Sequence, residues 1–383
     1  MERNSRKKIT APKRRGWCFV LLAALLLADG PARAAVPLPR PDNLQAALEL
    51  HLQIAAAGGW PAVPPGPTLA PGDSDPRVPI LARRLAASGD LRTPVRESSE
   101  YDGELEAAVR RFQARHGLEP DGLVGRATLR ALNVPVAARI RQLELNLERI
   151  RANPAMPLTG DSVFVNIPAF SLYLLRDGRV DWTTRVIVGE TETETPLFST
   201  KIESVVLNPT WAVPYSIASR EMLPKIRHDP GYLARGGYAV FDRDGDAVDP
   251  AQVDWAALDG NNFPFTFVQR PGPANELGRV KFIIPNEHGV CMHDTPKRQL
   301  FVRAARAFSH GCIRMEKPLD FAARLLEAEG WTVAGIDAEL ATAKTRSIAL
   351  GEPLPVIVAY VTAAADEAGT AYFFGDIYDK DGG

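Results

Sequence analysis

The chain has 383 residues, too many for one domain of roughly 100–200, so two or more modules are expected. Its 45% hydrophobic and 24% charged residues sit near the averages of soluble globular proteins and argue against wholesale disorder or a multi-pass membrane architecture. The formal net charge is −1, and 32 Pro with 30 Gly point to many short elements joined by turns.

The first residues read as a leader. Basic residues cluster from Arg3 to Arg15, an apolar run spans Trp17–Ala28, and Ala32-Arg33-Ala34 offers small residues where a signal peptidase reads. The run is shorter than the ~20 residues a membrane-spanning helix needs, so a cleaved signal over 1–34 and a periplasmic location are expected rather than an uncleaved anchor. Arg14-Arg15 is a weak hint of twin-arginine export. Removing 1–34 takes away eight Lys/Arg and two Asp/Glu and leaves a net charge of −7. Such a chain has no basic surplus to neutralise phosphates, which excludes nucleic acid as a partner. Cys18 leaves with the leader, so Cys291 and Cys312 are the remaining thiols, too few for a disulfide framework.

Residues 35–75 read as an N-terminal segment and linker, with Pro61 to Pro71 irregular. Over 76–133 the period is helical: Val78, Leu81 and Leu85 form one stripe, Leu105, Ala108, Val109 and Phe112 a second, and a short helix spans Ala127 to Leu132. Phe112-Gln113, Gly117-Leu118, Asp121-Gly122 and Gly125-x-x-Thr128 resemble the small three-helix peptidoglycan-binding domain. The same residues would serve as turns and core in any case, so the resemblance leaves glycan binding open. A connecting helix is expected over 134–155, with Ile140, Leu143, Leu147 and Ile150 on one face.

From Ser162 the period turns to alternation. Val163, Val165 and Ile167 mark a strand, 171–175 and 179–188 flank a hairpin at Asp177-Gly178, and further strands are expected at 201–207, 280–284 and 290–293. Between Pro209 and Pro273 lies a long interruption with a helix near 217–226 and a hairpin at Asp244-Gly245; such insertions serve as lids or binding loops. Asp242-x-Asp244-x-Asp246 imitates a calcium loop, but Ala247 and Val253 stand where Gly and Glu belong, so it reads as a solvated turn.

The chemistry is concentrated in Cys291-Met-His-Asp-Thr-Pro296 and Phe308-Ser-His-Gly-Cys-Ile-Arg-Met315. A thiol is nucleophilic as thiolate, and a neighbouring imidazole lowers its pKa. Gly311 before Cys312 lets backbone approach a substrate, and N–H groups around it could face a developing oxyanion. His293, fifteen residues, then Ser309-His310-Gly311-Cys312-Ile313-Arg314 resembles the active-site motif of the L,D-transpeptidases, the YkuD-type catalytic domain. Asn208-Pro-Thr-Trp-Ala-Val-Pro214 and Gly272 to Phe282 extend the likeness to long members carrying a peptidoglycan-binding domain.

The resemblance implies an α+β multidomain chain. Its parts are a mainly β catalytic domain over 156–340 with a lid insertion at 209–273, the three-helix domain, and C-terminal strands and tail over 341–383. It implies Cys312 as nucleophile, His293 as the base that activates it, His310 as an orienting or polarising group, and Gly311 with the Cys312 N–H as oxyanion hole. Ser309, Arg314, Trp211 and Asn208 are implied in substrate binding. The implied reaction joins peptidoglycan stem peptides 3→3 through a thioester with release of D-Ala. Water or a lipoprotein lysine as acceptor would give L,D-carboxypeptidase activity or wall anchoring, and carbapenem-type β-lactams are implied as covalent inhibitors. No cofactor and no metal are expected.

Two rivals come from the residues themselves. Cys291-x-His293 and His310-x-Cys312 offer four zinc-type ligands, at spacings tighter than usual. A silent wall-binding scaffold would use the helical module alone. Finally, Cys291 and His293 share one strand face, so Cys291 lies within bridging reach of Cys312 or else is a core thiol too far to bridge; the second is the commoner fate of an unpaired Cys.

Overall fold

The computed structural model describes residues 36–156 and 158–382, so the leader expected over 1–34 lies outside the described residues. Among the described residues no helix is long and apolar enough to cross a membrane.

Among the described residues five helices come first: α1 (Pro41–Ala56), α2 (Val78–Ala87), α3 (Gly103–Arg115), α4 (Arg126–Leu132) and α5 (Val136–Ala152). The first of them lies within the expected N-terminal segment, ahead of the irregular stretch at Pro61 to Pro71. Pro41 stands where a helix needs no N–H, and Leu44, Ala47, Leu48 and His51 make a buried stripe. That stripe shares a core with Leu143, Leu147 and Ile150 of α5.

Helices α2 to α4 enclose a core of Leu81, Leu85, Val109, Phe112 and Val124. Asp102 caps α3 by accepting the Leu105 N–H at 2.9 Å. The buried Gln113 amide donates to the Asp121 carboxylate at 2.7 Å and the Leu123 carbonyl at 2.9 Å, and accepts the Gly122 N–H at 2.9 Å. The Gln113 and Asp121-Gly122 motif is therefore a turn clamp whose polar atoms are satisfied internally.

Past α5 come β1 (Ser162–Asn166), β2 (Ser171–Arg176), β3 (Arg179–Gly189) and β4 (Phe198–Leu207). The insertion holds β5 (Trp211–Ala212), a helical run made of α6 (Tyr215–Ile217), a π-turn (Ala218–Met222) and α7 (Leu223–His228), then α8 (Tyr232–Arg235), β6 (Tyr238–Phe241), β7 (Ala247–Val248) and β8 (Thr266–Gln269). The chain continues through β9 (Val280–Ile283), β10 (Met292–His293), β11 (Ala307–Ser309), β12 (Ile313–Met315), α9 (Pro318–Leu326), α10 (Val333–Ala341), β13 (Arg346–Ala359), β14 (Ala363–Ala365) and β15 (Ala371–Phe373).

Nine strands form one sheet in the order β11-β3-β12-β10-β9-β4-β13-β1-β2, and β2 also pairs with β3, so its ends meet. Alternation along β1 sends Val163 and Val165 into one core with Phe321, Leu325 and Ile336 of α9 and α10, and Phe164 into the other beneath α1 and α5. The boundary expected at 340 falls short, because β13 lies between β4 and β1 with parallel register Val163↔Val356 to Asn166↔Ala359.

The insertion is a folded subunit rather than a bare loop. It has its own four-stranded sheet, β5-β8-β6-β7, and its own core of Val213, Met222, Leu223, Val240, Phe263 and Phe267. Asn275, 1% exposed, ties its two ends by donating to the Pro209 and Arg270 carbonyls, each at 3.0 Å. The Asp242 turn is as expected: its carboxylate accepts the N–H groups of Asp244 at 3.0 Å and Asp246 at 2.9 Å.

Arg115 joins the helical module to the C-terminal hairpin. It is paired with the buried Asp90, Nε to Oδ1 at 2.6 Å, and donates to the Ala371 carbonyl of β15 at 2.9 Å. Asp90→Ala strands a buried guanidinium and is expected to cost about 3–5 kcal/mol. Denaturant unfolding of the full chain measures this; a loss below about 1 kcal/mol, the range of a surface pair, would contradict it.

Candidate active site

Strands β10 and β12 run parallel, Met292 opposite Ile313 and His293 opposite Arg314, which sets Cys291 opposite Cys312 one step earlier. Ile313 N–H donates to the Cys291 carbonyl at 2.9 Å, so the pairing continues to that position. Met292 is fully buried in the sheet core, and alternation turns Cys291 and His293 the other way, into a cleft of about 530 Å³.

The Cys312 sulfur lies 3.2 Å from the Cys291 sulfur and 3.3 Å from the Cys291 nitrogen. This corrects the expectation that Cys291 is a core thiol beyond bridging distance. The His293 ring completes the group, the thiol sulfurs and a ring nitrogen all lying within 4.8 Å of one another. His293 is 4% exposed and its Nδ1 meets the Asp294 carbonyl, which makes Nδ1 the donor and leaves Nε2 for the thiol.

Hydrogen bonding from Cys291 holds the Cys312 thiol well below the usual thiol range against the opposing effect of burial, and His293 adds to it. The same contact, with burial, pushes the Cys291 thiol up. Both effects favour the negative charge on Cys312 and the proton on Cys291.

Asp294 is fixed in turn. Its Oδ2 accepts the Arg279 N–H at 2.9 Å and its Oδ1 meets Arg298 at 2.7 Å. Gly278 has φ +62°, and a Cβ there would sit 2.4 Å from the Asp294 carboxylate, so only glycine leaves that room.

The loop before Cys312 is stapled internally. Gly311 has φ +103°, and its carbonyl accepts the Thr195 hydroxyl at 2.8 Å. Its N–H donates to the Ser309 hydroxyl at 3.2 Å, so it is engaged within the loop and does not face a substrate oxyanion as expected. Ser309, expected to bind substrate, lines the cleft but is 1% exposed and donates to the Cys312 carbonyl at 2.6 Å, which holds the loop's shape. Asn208, also expected to bind substrate, is absent from the residues lining the cleft. It has φ +48°, and its amide donates to the carbonyls of Leu340 at 3.2 Å and Lys344 at 3.3 Å, closing the end of α10.

Trp211 and Arg314 do line the cleft. Arg314 is largely buried and its Nε has no hydrogen-bond partner among the described residues; burial pulls its guanidinium below the usual range. His310 reaches outward to Glu221 of the π-turn, Nε2 to Oε1 at 2.8 Å, tying the loop to the insertion. Of the four zinc-type ligands, Cys291, His293 and Cys312 come together and could hold a thiophilic ion, while His310 is turned to Glu221.

Several supporting residues carry no local signal in the sequence. Thr195 lies 116 residues from Gly311, and its N–H donates to the Tyr378 hydroxyl at 3.1 Å, which itself donates to the Gly189 carbonyl at 2.7 Å. Glu221 sits in a helical stretch where an acidic residue is unremarkable.

A mainly β domain that sets a thiol beside an imidazole in a cleft has the groups that nucleophilic catalysis uses. The sequence profile of the YkuD L,D-transpeptidase catalytic domain matches residues 160–358, more than half of the chain, and this chain belongs to that family. A second profile, described as "Putative peptidoglycan binding domain", matches residues 74–132. A relative from Haemophilus influenzae named "Putative L,D-transpeptidase" is 39% identical over 241 residues, 63% of this chain and 48% of its own length. The chain therefore spans about half of that relative. General secretion pathway protein A of Aeromonas hydrophila is 38% identical over 74 residues, 19% of this chain and 13% of its own. Among solved structures, an L,D-transpeptidase from Stackebrandtia nassauensis is 15% identical and covers 77% of this chain and 97% of its own at a TM-score of 0.28. The Enterococcus faecium L,D-transpeptidase catalytic domain acylated by ertapenem is 13% identical and covers 52% and 98% at a TM-score of 0.25. Scores this low carry no inference.

Because the Cys312 pKa is depressed, its thiolate persists as pH falls through the ordinary thiol range. Iodoacetamide at about pH 6, below the usual thiol pKa of about 8.5, is expected to label Cys312 and spare Cys291. His293→Ala is expected to move the Cys312 labelling midpoint to higher pH. Peptide mapping reads both; equal labelling of the two thiols would contradict the assignment.

Proposed function

We propose that this chain is a periplasmic cysteine L,D-transpeptidase that joins peptidoglycan stems by 3→3 cross-links. The observation that carries the reading is the Cys312 sulfur held between the Cys291 N–H and S–H and the His293 ring, at the floor of a cleft large enough for a peptide.

The Cys312 thiolate attacks the carbonyl after the third residue of a tetrapeptide stem. His293 supplies the proton that lets the terminal D-Ala leave as a free amino acid, and a thioester remains on Cys312. An amine on a neighbouring stem gives its proton to His293, attacks the thioester, and closes the 3→3 link. The chain's own groups carry every step.

Glu221, Glu276, Lys281 and Arg314 all line the cleft, so it presents both signs of charge, which suits a stem bearing amines and carboxylates. Lys297 is paired with Glu276 at 2.9 Å. Trp211, Tyr232 and Tyr238 of the insertion give the opposite wall an aromatic surface. The α2–α4 module would hold the enzyme to the wall, and the pattern over 1–34 supports export.

Incubating the protein with tetrapeptide-stem dimers and reading products by mass spectrometry tests this. Cys312→Ala is expected to abolish cross-linking with the fold intact, and His293→Ala to lower the rate by roughly 10²–10⁴-fold. A Cys312→Ala protein that still forms 3→3 links would sink the assignment.

A thiolate that opens a stem carbonyl should also open a strained lactam. A carbapenem is expected to leave one covalent adduct on the peptide containing Cys312. An adduct on Cys291, or none with active enzyme, would show that the nucleophile is misassigned.

A further inference from the structure

Cys291 has no place in the acyl-transfer steps as a nucleophile, and it is not part of the apolar core either. It lines the cleft with its sulfur 3.2 Å from that of Cys312. We propose that Cys291 is a resolving thiol: when Cys312 is attacked by a disulfide oxidant, Cys291 closes an intramolecular Cys291–Cys312 disulfide that stores the nucleophile in a protected, inactive form.

The backbone already permits the bond. The two residues face each other across the β10–β12 pairing, where neighbouring strands stand about 4.8 Å apart, within the Cα separation of about 4.4–6.8 Å that disulfides use. A bond of about 2.05 Å requires the sulfurs to approach by roughly 1 Å. The Ile313–Cys291 ladder bond at 2.9 Å need not break. Both residues are partly buried but line the cleft, so a small oxidant that enters it meets them.

The chemistry balances with a disulfide as co-reactant. The Cys312 thiolate attacks one sulfur of the oxidant R–S–S–R, forming a mixed disulfide and expelling RS⁻. The Cys291 thiol then attacks the Cys312 sulfur, forming the internal bond; the second RS⁻ leaves and takes up the proton Cys291 loses. The two protein sulfurs give up two electrons, and the oxidant departs as one thiolate and one thiol. The order follows from the surroundings of the two sulfurs: Cys312 attacks first because its sulfur accepts the Cys291 N–H at 3.3 Å and lies beside the His293 ring, both of which favour its thiolate. The bond keeps Cys312 off the irreversible steps of the oxidation ladder, and a dithiol restores the enzyme.

The test uses the full chain and a mass readout that does not depend on transpeptidation. The protein is treated with oxidised glutathione, remaining thiols are alkylated, and peptides are mapped without reduction. The expected product is the Cys291 peptide joined to the Cys312 peptide, with two hydrogens lost and no glutathione retained, reversed by dithiothreitol. Cys291→Ser is expected to hold a lasting glutathione adduct on Cys312 instead. The proposal is overturned if the natural protein keeps that adduct as durably as the variant, if Cys312 is bonded to Cys18, or if both thiols are recovered unbonded. The natural protein decides the matter even where the variant does not fold. Loss of stem cross-linking on oxidation and its return on reduction, measured separately, tests the link to activity.

Discussion

The parallel pairing of two short strands, β10 and β12, is the constraint on which this molecule's chemistry rests. It involves few residues, yet it sets Cys291 opposite Cys312 and His293 opposite Arg314, and alternation points the reactive groups into one cleft while Met292 anchors the other face. A slip of one residue would send His293 into the apolar core and Met292 into the cleft. Register is therefore the quantity the surroundings protect. Strands β9 and β3 flank the pair, Asp294 is clamped by the Arg279 backbone and by Arg298, and Thr195 grips the Gly311 carbonyl.

The insertion is held by a different economy. Its core of Val213, Met222, Phe263 and Phe267 is separate from the sheet's, and its two ends are drawn together by Asn275. A body with its own core and a narrow stem keeps its shape whatever angle it takes over the cleft. The Glu221–His310 pair is a polar tie between that body and the loop carrying Cys312. Side chains there are about two-fifths exposed, so the tie is weak and readily exchanged for water.

What was legible in the sequence was local. The stripes Leu81/Leu85 and Val109/Phe112, the alternation at 163–167 and the Asp177-Gly178 hairpin depend on neighbours a few residues away, and each forms as read. The pairing of His293 with Cys312 was legible through the family motif. Helix α1 was not, because its stripe is embedded in Pro- and Ala-rich flanks that read as linker. Strand β13 contains Gly351, Pro353 and Pro355, which argue against a central strand; the register shift between Ala349 and Leu354 absorbs the first two, while Pro355 pairs with Lys201 beyond it. Asn208 and Ser309 illustrate the limit of motif reasoning. Both sit in matched segments, and both use polar atoms to hold the shape of the chain around them.

The position of β13 has a bearing on when the enzyme can come into being. It fills the gap between β1 and β4, and its partner in β1 lies 193 positions back at Val163↔Val356. Tyr378, farther along still, braces the strand and loop that support Gly311. The barrel-like sheet thus has no intermediate closed form: every residue up to this point must be synthesised before the thiolate acquires its setting. Long-range closure of this kind is slow. A cleft built this way acquires its geometry only once the C-terminal strand and Tyr378 are in place.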